Sequence, residues 1–313
     1  MALLGIDLGG TKLAVGIFSE SGEILSKEII SLAGKAGSDV GLLITNTITK
    51  HKSLNISSPV ESIGVSVPGI SRSKTGTVWA PNIKGWEDYP LMHEIKQVTE
   101  NIPVTIDSDR ACYILGEHWQ GGAKQINDAI FLAVGTGIGA GILINGKVLR
   151  GAHDIAGAIG WMALDRPFQN KYVSCGCFEY HASGEGIAKI AREFLAEQKD
   201  YYGELKNIPL QKLTAANIFS AYEKNDRVAT HVLEQGIEFW GMAVANLVSL
   251  FNPEKIILGG GVFGPAAQFI NAIYKEAAKW AQPISITQVS LVPSALAGDA
   301  GMYGAGFLAL QNR

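Results

Sequence analysis

Cysteine is nearly absent from this chain. The three present in 313 residues, Cys112, Cys175 and Cys177, make no disulfide framework, and two of them are separated by a single residue. That usage points to a reducing cytoplasm. An excess of charge of one sign is missing as well: 26 Lys and Arg face 29 Asp and Glu, for a net charge of −3. The chain therefore has no electrostatic footprint for nucleic acid or an anionic membrane. It has no basic arm, acidic tail or low-complexity tract. No charged segment and apolar h-region precede the first predicted strand, so no secretory signal is expected. The most apolar stretch, Ala129 to Ile144, is interrupted by glycine and too short to cross a bilayer comfortably. It reads as two strands around a turn.

What is present is an ordinary core composition, 47% hydrophobic, and length enough for two domains. Glycine numbers 37 and is clustered, at Gly9-Gly10, Gly135 to Gly141, Gly259-Gly260-Gly261 and Gly298 to Gly306. Such grouping suggests loops converging on one polyanionic ligand. The most informative run is Gly5-Ile6-Asp7-Leu8-Gly9-Gly10-Thr11-Lys12. An apolar strand ends in an aspartate, a glycine turn follows, and a second apolar run extends from Leu13 to Phe18. Gly9 and Gly10 let backbone N–H groups approach an anion, Thr11 adds a hydroxyl and Lys12 a charge. Asp7 is placed to hold Mg²⁺ through its waters. An ordinary hairpin turn has the same residue types.

Periodicity predicts strands at Leu3–Asp7, Leu13–Phe18, Ile24–Ile30, Ser62–Val67 and Val104–Ile106, with helices around Val40–Lys50, Leu91–Thr99 and from Ala111. The opening theme then recurs: strand Ala129–Val134, turn Gly135-Thr136-Gly137, strand Ala140–Ile144. This weak internal repeat suggests two similar halves. Helices are expected over Gly184–Gln198, Ala215–Lys224, Val228–Phe251, Pro265–Trp280 and from Asp299 to Leu310, with strands at Lys255–Leu258 and Thr287–Val292. The alternation argues for an α/β fold. A nicotinamide dehydrogenase would explain the glycines of Gly135–Gly141. Its fingerprint should open a helix, however, and here the turn feeds another apolar strand.

These residues resemble the actin-like ATPase superfamily and, within it, the ROK family of sugar kinases, which includes bacterial glucokinases. Gly5–Phe18 looks like the first phosphate loop and Ala133–Gly141 like the second. Ile256–Gly261 resembles the adenosine segment and Ala297–Gly306 the closing helix, so the likeness runs nearly end to end. Pro103 to Glu117 is similar, without a gap, to the family segment Pro-Val-x-Val-Glu-Asn-Asp-Ala-Asn-Ala-Ala-Ala-x-Gly-Glu. On that likeness Asp109 falls on the general base, which accepts a sugar hydroxyl proton as the oxygen attacks the γ-phosphorus. Asp107, Ser108 or Asp109 could also cap the following helix, and three polar residues leave room for both roles.

The resemblance implies two actin-like (ribonuclease H-like) α/β domains around a central cleft. Residues 1–110 with 299–313 would form the sugar-side domain and 111–298 the nucleotide-binding domain. ATP and Mg²⁺ would be held by Asp7, Gly9, Gly10, Thr11, Lys12, Gly135, Thr136, Gly137, Gly259, Gly260 and Gly261. Sugar would meet Gly69, Asn82, Ser108, Asp109, Trp161 and Glu179. Asn82 is also a natural turn residue after Pro81, and Trp161 a natural core aromatic. A homodimer is implied too. The N-terminal helix-turn-helix of the family's regulators has no counterpart ahead of Asp7, so DNA binding is not expected.

The likeness breaks at the sugar pocket. The family's asparagine before the base is matched by Ser108. Its Glu-x-Gly-His is matched by Ala158-Ile159-Gly160-Trp161, which loses a carboxylate and an imidazole that the family uses for sugar, and the imidazole for zinc. Of the family's zinc cysteines only Cys175 and Cys177 remain. With His153 and His181 they could at most improvise a site, so structural zinc is not expected. The activity this implies is ATP-dependent phosphorylation of a sugar hydroxyl, on a hexose, amino sugar or related carbohydrate, by an enzyme that is not a dedicated glucokinase. The alternative is a non-catalytic sensor of sugar or nucleotide.

Overall fold

The computed structural model describes residues 1–53, 58–198 and 200–312. The chain opens with β1 (Ala2–Leu8), β2 (Lys12–Ser19) and β3 (Ile24–Ser31), then α1 (Ser38–Lys52), β4 (Val60–Val67) and a small hairpin of β5 (Ile70–Arg72) and β6 (Thr77–Trp79). It continues through α2 (Leu91–Thr99), β7 (Val104–Ser108), α3 (Asp109–Gln120), β8 (Ala129–Val134), β9 (Ile138–Ile144) and β10 (Lys147–Val148). Helices α4 (Cys177–Ala182), α5 (Gly184–Glu197), α6 (Ala215–Tyr222) and α7 (Arg227–Phe251) follow. The remainder is β11 (Lys255–Gly259), α8 (Ile270–Trp280), α9 (Pro283–Ile286), β12 (Ser290–Pro293) and α10 (Ala300–Gln311).

Two five-stranded sheets share one strand order. The first runs β3-β2-β1-β4-β7 and the second β10-β9-β8-β11-β12. In each, three consecutive strands joined by short turns meet two strands added in parallel. The turns Gly9 to Thr11 and Gly135 to Gly137 are each three residues long and occupy matching places, between the first and second strands of their sheets. The internal repeat is therefore a repeat of topology.

The chain divides into two compact units: Met1–Asn127 with Gly141–Gly157 and Ser294–Arg313, and Asp128–Ala140 with Ala158–Pro293. In the first unit Ile6, Val15, Val65, Ile44, Ile48 and Ile95 pack β1, β2 and β4 against α1 and α2. Trp86 closes that core, stacked on Tyr89 at 4.4 Å with its indole N–H donating to the Gly37 carbonyl. In the second unit α7 is buried along most of its length and is capped by Asp226, which accepts the N–H groups of Val228 and Ala229.

This division differs from a boundary at residue 110. Helix α3 belongs to the first unit because it packs backbone to backbone on α10: a Cβ on Gly304 would stand 1.8 Å from the Cys112 carbonyl oxygen. Only glycine allows that approach. The helix expected from Pro265 begins instead as a 3-10 turn over Pro265–Phe269, and the last strand is shorter than Thr287–Val292, with α9 ahead of it.

Candidate active site

Register places the first carboxylates. Asp7 of β1 pairs with Ser66 of β4, and Ser66 with Asp107 of β7, so the three side chains form a row across neighbouring parallel strands. The row sits at the strands' carboxyl ends, where α/β sheets bind ligands. The Ser66 hydroxyl donates to Asp7 Oδ1 at 2.6 Å. Burial raises the Asp7 pKa, the Ser66 hydrogen bond and Lys12 oppose the rise, and Asp299 adds to it. Asp107 is also raised by burial, against the Arg150 guanidinium, whose Nη2 lies 2.6 Å from Oδ2. Asp107 thus holds Arg150, and its Oδ1 accepts the Ser108 N–H.

Asp109 is the first residue of α3 and is half-buried. Its Oδ1 accepts the Arg110 N–H at 2.8 Å. Burial lifts its pKa to about 6, with Asp7 adding to the rise and Arg110 and the Tyr113 hydroxyl resisting it. A carboxylate tuned into that range suits proton abstraction near neutral pH. Ser108 caps α3 by accepting the Ala111 N–H, so its hydroxyl oxygen is engaged there. Arg110 reaches back to donate to the Gly69 carbonyl at 3.1 Å, which ties Gly69 to the residue that follows Asp109. Asn82 is exposed, in the loop after β6. Gly9 closes its turn by donating to the Lys12 carbonyl, leaving Gly10 and Thr11 exposed.

In the second unit two glycine clusters meet. Gly135 and Thr136 of the β8–β9 turn, and Gly261 after β11, line one cavity of about 420 Å³. Its other walls are the first turns of α5 and α6, with Phe219, Val262 and Pro265 supplying apolar surface. The Gly184 N–H donates to the Gly135 carbonyl, fixing the turn to the start of α5. Both helices are capped by side chains, Ser183 for α5 and Thr214 for α6. Glycine N–H groups beside helix N-termini favour phosphate, and the apolar wall suits a flat base.

The chain matches the ROK family over residues 3–312. The chain belongs to the ROK family. Among its relatives is a glucokinase of Halalkalibacterium halodurans, 33% identical over 98% of this chain and 94% of that protein. A xylose repressor of Caldicellulosiruptor bescii is 34% identical over 88% of this chain and 68% of the repressor. The crystal structure of a ROK family glucokinase from Streptomyces griseus, in complex with glucose and AMPPNP, superposes with a TM-score of 0.80 at 27% identity, covering all of both chains. The mixed α/β fold with its two sheets is the fold of these ROK kinases.

Other expected ROK positions take different surroundings. Glu179, on α4, accepts the Ile138 N–H at 2.7 Å and stands against Gly137 and Gly160. It buttresses the β8–β9 turn, and burial raises its pKa against the pull of that hydrogen bond and of Lys189. Trp161 is no core aromatic: it is 59% exposed, on a cavity of about 360 Å³ with Phe168, Tyr172, Val173 and Cys177. His181 is buried, stacked on Phe239 at 4.4 Å, and shares a hydrogen bond with the Tyr172 hydroxyl. Among the described residues no three His, Cys, Asp or Glu stand together as a metal site.

Sequence reasoning missed Tyr113, Arg150, Gly184 and Thr214. The i, i+4 spacing of Asp109 and Tyr113 on α3 carried a signal for the first, since the family segment has alanine at that place. Thr214 with Asn217 forms a capping box. Arg150 left no trace in the pattern around it.

Proposed function

We propose that this chain is an ATP-dependent sugar kinase, acting with Mg²⁺ on a small-molecule carbohydrate, in a reducing cytoplasm and as a homodimer. Asp109 carries the reading. Its carboxylate, at the start of α3 with a pKa of about 6, takes the acceptor hydroxyl proton as that oxygen attacks the γ-phosphorus, whose bond to the β,γ-bridging oxygen breaks to release ADP. Asp7, in the row with Ser66, would hold Mg²⁺ through water, and the ion would neutralise charge on the transferring phosphoryl group. The turn at Gly9 to Lys12 is a candidate phosphate contact of the first unit, and the cavity at Gly135, Thr136 and Gly261, with Gly137, Gly259 and Gly260 around it, a candidate nucleotide site of the second. Gly69, Asn82 and Trp161 remain candidate acceptor contacts. Ser108 and Glu179 remain candidates too: the Ser108 hydroxyl accepts the Ala111 N–H and keeps its proton to donate, and Glu179 accepts the Ile138 N–H through Oε2 alone.

The test is ATP consumption across hexoses, amino sugars, N-acyl hexosamines and polyols, for the native protein and Asp109→Asn. Sugar-dependent consumption that disappears in the variant supports the reading. Binding of a sugar without consumption of ATP would favour a sensor. That second reading draws on the xylose repressor, 34% identical over 88% of this chain.

A further inference from the structure

Three large apolar side chains of the second unit stand open to solvent around one cavity. Trp161, Phe168 and Val173 are 59%, 72% and 64% exposed, and with Tyr172 and Cys177 they line a space of about 360 Å³. Gly176 holds the walls together: a Cβ there would stand 2.4 Å from the Gly160 carbonyl oxygen, so the two segments touch through their backbones. Phe168 meets the Tyr172 ring edge-on at 6.2 Å. Among the described residues of the lining, the one charged group is Asp165. Its Oδ1 accepts the Arg166 N–H at 2.7 Å and its Oδ2 the Tyr172 hydroxyl at 3.0 Å. That hydroxyl gives its only proton to Asp165, so it accepts one from His181 Nε2, 3.0 Å away. Burial lowers the His181 pKa and keeps the imidazole neutral. Among the described residues that imidazole is the only ion-pair neighbour of Asp165, at 3.9 Å. The Asp165 carboxylate is therefore oriented, partly exposed and without a countercharge.

We propose that this cavity binds a glycoside, with one face of a pyranose ring on the Trp161 indole and ring hydroxyls donating to Asp165. The lining selects that class. A sugar ring has an apolar C–H face for an aromatic wall and hydroxyl donors at its edge for a carboxylate. A phosphate group would find no Lys or Arg in the lining and would meet a like charge. A wholly apolar ligand would bury the Asp165 carboxylate without offering it a donor, which is costly. Zinc would need more ligands than Asp165 and Cys177. A second ring or an aglycone follows from the rim, where Phe168 and Val173 expose more apolar surface than one ring on Trp161 covers. The inference goes beyond the kinase reading, and it holds whether or not Asp109 is a base.

The test is saturation-transfer NMR and titration of the nucleotide-free protein with phenyl β-glucoside, cellobiose and methyl β-glucoside. Cyclohexanol and tetramethylammonium serve as apolar and cationic controls. Trp161→Ala, Phe168→Ala and Asp165→Asn change exposed side chains, and circular dichroism checks that each still folds. The glycosides should bind with transfer strongest on one face of a sugar ring. Affinity should fall about tenfold in Trp161→Ala and in Asp165→Asn, as expected for a lost ring contact or a lost hydrogen bond to a charged group. Phe168→Ala should weaken phenyl β-glucoside and cellobiose more than methyl β-glucoside. Absence of glycoside binding, or an affinity unchanged in either Trp161→Ala or Asp165→Asn, overturns the inference. So does a control that binds more tightly than every glycoside, or a Phe168→Ala loss equal for all three. Glycoside binding of the expected pattern without sugar-dependent ATP consumption would keep the cavity and end the kinase reading.

Discussion

Replacing Asp109 with asparagine should make the protein more stable and nearly inactive. The magnitude follows from the carboxyl's environment. An aspartate whose pKa rises from 3.8 to about 6 on folding binds a proton more readily in the native state than in the unfolded one. A tenfold change in proton affinity corresponds to about 1.4 kcal/mol, so holding the charge in place costs on the order of 3 kcal/mol. The sign is definite. Below pH 4 both states are neutral and the cost is absent; it grows as pH rises from 4 to 6 and is complete above 6. Asparagine copies the neutral form and escapes it. Unfolding by urea should therefore show Asp109→Asn more stable than the native protein by about 2–3 kcal/mol at pH 8, with the difference shrinking toward zero near pH 4. Loss of the general base should lower kcat by about 10²–10⁴-fold in the same preparation. Equal stability at pH 8, or a difference that persists unchanged at pH 4, would show that Asp109 is not held against its charge. The tuning of the base would then need another explanation.

Three further outcomes are expected. In Gly301→Ala a Cβ would stand 2.5–2.7 Å from the Asp7 carboxylate, which is pinned by Ser66 and cannot swing away freely. Helix propensity gains about 1 kcal/mol, so urea midpoints should change little while kcat/KM falls roughly 100-fold, the usual cost of displacing a reacting group by an ångström; a native rate would show that the position of Asp7 does not matter. Purified protein should hold no stoichiometric zinc by elemental analysis, because Cys175 and Cys177 have no set of further metal ligands around them among the described residues, and one tightly held zinc lost on changing both to serine would overturn this. Glucose should be a poor acceptor, with kcat/KM below about 10⁴ M⁻¹s⁻¹, and Ala158→Glu with Trp161→His should shift selectivity toward it; steady-state kinetics showing native efficiency above that value would mean other residues supply the missing contacts.

The legible parts of the fold are those written in local periodicity. The two hairpins stand out because apolar strands with inward faces are broken by three-residue glycine turns, and both lie within a residue or two of their expected bounds. The C-terminal region is less legible. Strand β12 lies at the sheet edge and alternates little, with its ends exposed, so periodicity has almost nothing to mark it. Pro265 starts a helical run as expected, but the first five residues wind as a tighter 3-10 turn. The assignment of α3 to the first unit depends on Gly116 and Gly304, whose missing side chains let two helices touch through their backbones. Glycine in a helix ordinarily reads as a weakness, and only the packing shows its purpose.

The same limit applies to the site, and it has an energetic meaning. Asp7, Asp107, Asp109 and Glu179 are visible in the sequence as carboxylates at strand ends or helix starts, and burial raises the pKa of all four. What their own positions in the sequence do not show is how each charge is kept tolerable. Asp7 has Ser66, its register partner on a strand 59 residues away. Asp107 has Arg150, 43 residues on, and Glu179 the N–H of Ile138, 41 residues back. Asp109 takes its donor from its own helix, the Arg110 N–H, and it retains a pKa of about 6 with Asp7 opposing its charge. A chain selected for stability alone would replace four such groups with apolar ones, since burying a charge costs more than most hydrogen bonds return. Their retention, each with a donor of its own, is what the proposed chemistry of protons and phosphate calls for. In the proposed kinase reaction Asp109, whose surroundings leave much of the burial uncompensated, would turn that cost into a base able to work near neutral pH.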